Sequence, residues 1–309
     1  MRILHISDLH LQIGIGGDPE KILNRLVKIL EKNVEIKPFD HVVFTGDLKD
    51  QDKSATVDEV IDVINRIKTA AKVYEKGRIH IVPGNHDLFR GETGARVDEI
   101  RKKYKCSYGL VSADLVFLNE RFDDFFWPLC DKFYGDGNPW SERNNNPHTI
   151  ILDKEKESAF IYLNSCITSV DRDLDNGNLV VGQKHFSDLF NKISDTEKLF
   201  ILSHHSAHNI ERDEKVKLRE VISSSTYSKE KVFWLCGDAH TTDEDECKVA
   251  KIYQVGRLLD DADSLPDFAI YDINDEDSKV ERRIFRFLPH LNGNIGGWKR
   301  VYIDPRITK

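Results

Sequence analysis

The sequence predicts an α/β protein that begins on parallel strands. Two observations carry the prediction: strand and helix signals alternate over roughly residues 1–90, and the C-terminal part changes to closely spaced strands joined by polar turns. Arg2 to Ser7 reads as a short apolar strand. Asp18-Pro19 then supplies an N-cap and a first-turn proline, and Leu23, Leu26, Val27, Leu30 and Val34 recur at helical spacing, so a helix is expected over Pro19 to Glu35. His41 to Thr45 is a second strand; Val57, Val60, Ile61, Ile64 and Ile67 repeat the helical stripe; Arg78 to Val82 is a third strand.

Over about residues 88–147 that regularity lapses into an aromatic-rich stretch, including Phe122, Phe125, Phe126, Trp127 and Trp140, which reads as an insertion whose rings pack a helix onto the domain. It is also the expected source of substrate specificity. Strands return at Thr149 to Leu152, Ala159 to Asn164, Leu199 to Ser203 and Val232 to Cys236, with a helix near Gln183 to Ile193. Ile252 to Val255, Phe268 to Ile273 and Val280 to Phe287 read as antiparallel strands. With neither a repeat nor a low-complexity linker, one domain is expected over 1–309, with a strand-rich part at about 250–309.

At 309 residues, 39% hydrophobic and 32% charged, the chain has an ordinary globular composition. A net charge of −8 opposes a broad electrostatic grip on long nucleic acid. Five cysteines without a close pair oppose a disulfide framework and a zinc ribbon. No run approaches the ~18 apolar residues of a membrane span, and the first residues already read as a strand, so a cytoplasmic location without a membrane partner is expected.

Asp, His and Asn gather directly after the apolar strands: Asp8-Leu9-His10, Gly46-Asp47-Leu48-Lys49-Asp50, Gly84-Asn85-His86-Asp87, Ser203-His204-His205 and Gly237-Asp238-Ala239-His240. Carboxyl ends of parallel strands lie along one sheet edge, so these loops should converge. Glycine before Asp47, Asn85 and Asp238 allows a sharp turn back toward that edge. His5 reads as a core histidine, and His205 and His208 are placed at the cleft rim. Arg90 and Arg172 are candidates to clamp a phosphate oxygen.

The order D-x-H, G-D-x-x-D, G-N-H-D, H and G-x-x-H over about residues 1–240 resembles the calcineurin-like metallophosphoesterase family. The resemblance implies two packed mixed β-sheets flanked by helices, an α/β/β/α sandwich. It implies two divalent ions (Mn, Fe or Zn, with Mn favoured) and hydrolysis of a phosphate ester, a phosphodiester first, by a hydroxide bridging them. Carried over by position, it makes Asp47 the bridging carboxylate, with Asp8, His10 and His240 at one ion and Asn85 and His204 at the other. His86 would assist the leaving oxygen, its ring oriented by Asp87 or Asp50.

The last block normally reads G-H-x-H, whereas this chain has Asp238 at the first histidine position. Either a carboxylate holds the second ion, or that ion is weakly held. A phosphate ester is the expected substrate, a nucleotide among them; a DNA or RNA nuclease and a non-catalytic binding scaffold are the alternatives. The chain also reads as a candidate module of a larger protein.

Overall fold

The structure is a computed structural model that describes residues 1–12, 17–51, 55–105, 110–193, 196, 198–225, 227–238, 243–246, 249–259, 266–291 and 294–301. The elements run β1 (Arg2–Ile6), α1 (Gly17–Ile36), β2 (His41–Phe44), α2 (Val57–Ala70), β3 (Ile79–Ile81), α3 (Gly94–Tyr104), α4 (Ser112–Glu120), α5 (Phe126–Tyr134), β4 (Thr149–Asp153) and β5 (Ser158–Tyr162). There follow α6 (Arg172–Asp175), α7 (Gln183–Phe190), β6 (Lys198–Leu202), α8 (Arg212–Ser223), β7 (Val232–Cys236), β8 (Asp243–Glu246), β9 (Lys251–Gln254), β10 (Asp267–Ile273), β11 (Val280–Leu291) and β12 (Asn294–Val301).

The strands form two six-stranded sheets, ordered β12-β11-β10-β1-β2-β3 and β4-β5-β6-β7-β9-β8. Both are mixed. In the first, β1, β2 and β3 are parallel while β10, β11 and β12 run antiparallel. In the second, β5, β6, β7 and β9 are parallel and the edge strands β4 and β8 are antiparallel.

Period-two alternation builds the layers. Phe160 and Tyr162 of β5, Phe200 and Leu202 of β6, and Phe233 and Leu235 of β7 join a core shared with the first sheet. Their sequence neighbours Ala159, Ile161, Leu199, Ile201, Val232 and Trp234 face the opposite way, against Phe186 of α7 and Leu218 of α8. Between the sheets, Phe160 stacks on Phe200 at 4.7 Å and Phe200 on Phe233 at 5.0 Å, so adjacent strands are also joined by side-chain ladders. Helices α1 and α2 cover the first sheet through Leu23, Leu26, Val60 and Ile64, which completes two sheets flanked by helices.

The aromatic-rich stretch is helical, forming α3, α4 and α5. Phe122, Phe126, Trp127 and Trp140 are buried in the main core and not arranged over a cleft. Tyr134 Oη donates to Ile79 O (2.8 Å) and Trp140 Nε1 to Ile81 O (3.2 Å), which ties the stretch to β3. Its pattern was hidden because α4 and α5 are only 9 residues long, too short for a stripe to repeat, and neither has a side-chain N-cap. The strands β8 and β12 were also not expected: β8 reads Asp-Glu-Asp-Glu and β12 contains Gly296-Gly297, neither a β-propensity signal.

Candidate metal centre

Five strand ends position the site: β1, β2 and β3 of the first sheet and β6 and β7 of the second. Backbone bonds fix the first two loops to each other, with Asp8 N on Gly46 O (3.0 Å), His10 N on Asp47 O (2.9 Å) and Leu11 N on Leu48 O (3.1 Å). Two glycines permit the approach. A Cβ on Gly84 would stand 1.9 Å from Asp47 N, and one on Gly46, which has φ +91°, would stand 2.6 Å from Gly84 Cα. Asp8, His10, Asp47 and Asp238 all hold left-handed backbone, with φ of 53°, 44°, 51° and 69°. Such conformations cost on the order of 1–3 kcal/mol each and persist where the surroundings dictate them.

The side chains converge on Asp47. Its Oδ1 accepts the His86 backbone N–H at 2.7 Å. That leaves Oδ2 facing three imidazoles, 3.4 Å from His204 Nε2, 3.6 Å from His10 Nε2 and 3.9 Å from His86 Nε2. His204 is fixed at both nitrogens: Nδ1 donates to Thr45 O (2.8 Å), and Nε2 lies 2.8 Å from Asn85 Oδ1. Asp238 N donates to Asp8 Oδ2 (3.2 Å), while Asp238 Oδ1 sits 3.8 Å from His204 Nε2. Among the described residues, three groups have ligand atoms within 4.8 Å of one another: His10, Asp47 and His86; Asp8, Asp47 and His204; and His204, His205 and Asp238.

The electrostatics are those of a cation site. Burial works against charge on Asp47 and Asp8, yet nearby imidazoles outweigh it and hold both below the usual carboxylate range, Asp47 well below. The converse applies to His204 and His10, which burial would lower but Asp47 and Asp8 raise, His204 well above an ordinary histidine. Buried carboxylates thus hold protons on the imidazoles at places where a divalent ion would otherwise supply the charge. The donor set of imidazole, carboxylate and amide oxygen suits Mn, Fe or Zn.

The family model for calcineurin-like phosphoesterases matches residues 1–241. The chain belongs to that family. A metallophosphoesterase-like protein of Bacillus subtilis, YydB, is 25% identical over 299 residues, covering 91% of this chain; the chain spans 58% of that relative's length. Among solved structures, a 5'-nucleotidase from Staphylococcus aureus described as putative is 11% identical with a TM-score of 0.48, covering 100% of this chain and 55% of its own. Zinc-complexed Vps29 from Entamoeba histolytica is 12% identical with a TM-score of 0.39, covering 97% of this chain and 98% of its own.

Of the positions carried over from this calcineurin-like family, the structure brings together Asp8, His10, Asp47, Asn85, His86, His204 and Asp238. His240 lies outside the described residues, as does the side chain of Arg172. One expectation is corrected. Asp87 does not orient the His86 ring: its Oδ1 accepts Leu48 N and Lys49 N (2.9 and 3.2 Å) and its Oδ2 accepts Gly84 N (2.9 Å). Three backbone donors occupy it because it knits the loop after β3 to the loop after β2. Nor does Asp50 orient the ring, since His86 Nδ1 is buried with no hydrogen-bond partner among the described residues; Asp50 Oδ2 accepts Gln12 Nε2 at 3.3 Å. His205, placed at the rim by sequence, is 2% exposed and points into the site. Its adjacency to His204 was the only signal, and consecutive residues ordinarily point apart.

Proposed function

We propose that this calcineurin-like chain hydrolyses phosphate esters at a centre for two divalent ions, with phosphodiesters favoured. The observation that supports it most is Asp47 Oδ2, ringed by His10, His86 and His204 at 3.4–3.9 Å, which is the arrangement of a carboxylate shared between two ions. Two divalent ions held by these residues would acidify the attacking water and neutralise charge on the entering and leaving oxygens.

The roles follow from position. Asp8 and His10 serve the first ion, joined in this reading by His240. Asn85, His204 and Asp238 serve the second, and Asp47 serves both. His86 stands edge-on to His10 with ring centroids 4.7 Å apart. Burial pushes its pKa down to about 4, so at neutral pH it is an uncharged imidazole that presents an N–H to the leaving oxygen. Arg90 Nε donates to Asn85 O (3.1 Å), and its Nη2 is buried with no hydrogen-bond partner among the described residues. That guanidinium is placed beside the second ion's ligand to take a phosphoryl oxygen.

Charge argues for diesters. Asp8, Asp47 and Asp238 offset most of the charge of two divalent ions, and a monoanionic diester needs less positive potential than a dianionic monoester. Manganese is the favoured ion because mixed oxygen and nitrogen donors with an added carboxylate favour it over zinc. The whole of 1–309 is read as one domain, with α3–α5 built into it.

The test is metal analysis followed by an activity panel with added Mn²⁺: a chromogenic phosphodiester, a phosphomonoester, cyclic nucleotides, and single- and double-stranded nucleic acid. Two ions per chain and diester cleavage ahead of monoester are expected. Absence of stoichiometric metal together with no hydrolysis of any substrate would leave a binding scaffold, and cleavage confined to nucleic acid would make the chain a nuclease.

A further inference from the structure

We infer that His205 is a ligand of the second ion, supplying the imidazole that Asp238 displaces from the family pattern. The inference rests on the two-ion reading above. His204 and His205 are consecutive, and in a continuing strand their side chains would diverge. Instead the chain bends at 204 and 205, and both Nε2 atoms face one oxygen, Asp238 Oδ1, at 3.8 and 4.0 Å. Their rings meet edge-on, with centroids 5.0 Å apart.

The bend is built for this. Trp234 Nε1 donates to Ser203 Oγ (2.7 Å), and that hydroxyl donates in turn to His205 O (2.7 Å). Gly237 N donates to His204 O (2.9 Å), and His205 N donates to Ser165 Oγ (3.0 Å). The same Ser165 hydroxyl lies 3.2 Å from His205 Nδ1, which occupies that nitrogen and leaves Nε2 aimed at Asp238. A ligating imidazole is ordinarily oriented by an acceptor on its far N–H, and the Ser165 hydroxyl is placed to be that acceptor.

The spacings decide between a structural histidine and a ligand. At 4.0 Å, His205 Nε2 and Asp238 Oδ1 are too far apart to hydrogen-bond. Two donors each bonded at about 2.1 Å to one ion are separated by about 3.0–3.4 Å at right or tetrahedral angles and about 4.2 Å when opposed. The pairs His204–Asp47 (3.4 Å), His204–Asp238 (3.8 Å) and His205–Asp238 (4.0 Å) all fall in that range. The second ion then has Asp47, Asn85, His204, His205 and Asp238, which keeps the imidazole count of the family and adds a carboxylate. Five protein donors favour a six-coordinate ion over tetrahedral zinc.

The experiment is equilibrium dialysis of chelator-stripped protein against Mn²⁺ alone, for the wild type, His205→Ala and the hydrogen-bonding variant His205→Gln, with circular dichroism to confirm folding. Loss of an orienting partner weakens metal binding about 10–100-fold, so loss of a ligand should weaken the second ion by more than about 100-fold while the first keeps its affinity. Anomalous diffraction from Mn²⁺-soaked wild-type crystals needs no variant, and should place the second ion within bonding distance of His205 Nε2. Two ions bound with unchanged affinity by folded His205→Ala, or an ion seated away from Nε2, overturns the inference and leaves the two-ion reading standing. A wild type that takes up no stoichiometric Mn²⁺ overturns both.

Discussion

Asp47 Oδ2 and His204 Nε2 lie 3.4 Å apart, both almost wholly buried, and each pulls the other's titration away from its ordinary value. Against burial, Asp47 and Asp8 raise His204 well above an ordinary histidine, which favours a proton on the lone pair a metal would use. Metal loading must therefore expel protons. Adding Mn²⁺ to stripped protein at pH 7 in weak buffer should release at least about one proton per chain, and apparent affinity should rise about tenfold per pH unit for each proton expelled. A pH-stat titration checks this; loading without proton release would mean that His204 is not a ligand.

Asp47 has no substitute in this geometry, since one carboxylate oxygen faces three imidazoles. Asp47→Asn should abolish hydrolysis and most bound metal while circular dichroism stays native. Retention of two ions with near-normal turnover would remove the bridging assignment.

His86 occupies a position open to two uses, because its Nε2 shares a cluster with His10 and Asp47. Acting on the leaving oxygen, its loss should lower kcat by about 10²–10⁴-fold with metal content unchanged. Measuring metal stoichiometry beside kcat for His86→Ala decides the matter, and parallel loss of both would make it a ligand.

The convergence of these residues was legible in sequence because its parts are local: each strand signal is followed within a few residues by its Asp, His or Asn, and parallel strands put those ends on one edge. What lay hidden depended on contacts across the chain. The role expected of Asp87 failed because the backbone amides of Leu48, Lys49 and Gly84 claim both its oxygens, and these belong to two different loops. His205 was placed only at the rim because the bend that turns it inward is held by Ser165 and Trp234, distant in sequence. Most parallel strands were readable from continuous apolar runs, but β9, expected to be antiparallel with β10 and β11, instead pairs in parallel with β7 in the second sheet, and β8 takes its conformation from pairing with β9 and carries no apolar pattern of its own. Likewise, a ladder from His41 Nδ1 to His80 Nε2 (2.9 Å) and from His80 Nδ1 to Tyr162 Oη (2.8 Å) joins the two sheets, and no local rule links those residues.

Arg90 offers a buried Nη2 beside Asn85. A charge-assisted hydrogen bond to substrate is worth about 1.5–3 kcal/mol, so Arg90→Gln should lower kcat/KM about 10–100-fold and weaken inhibition by inorganic phosphate, with both ions retained. Unchanged phosphate inhibition would leave Arg90 as a brace for the Asn85 loop only.

His5 sets part of the acid stability. It is fully buried between Thr45 Oγ1 (2.9 Å) and Tyr271 Oη (3.2 Å), and burial pushes its pKa down from 6.5 to about 3. Because the folded value is depressed, the unfolded chain takes up the proton first as pH falls. The contribution of His5 is therefore undiminished above pH 6.5 and is lost progressively between 6.5 and about 3. The slope in that window is about 1.4 kcal/mol per pH unit for one proton. His10 and His204, raised in the fold, work in the opposite sense, so the wild-type curve alone does not isolate His5. The difference between two proteins does. Gln stays neutral at every pH and can still bond Thr45 and Tyr271, so His5→Gln carries a constant penalty while removing about one proton of pH dependence. Denaturant midpoints measured on chelator-treated protein from pH 7.5 to 4 should converge as pH falls. Parallel curves would mean that His5 is not the neutral buried imidazole its two hydrogen bonds describe.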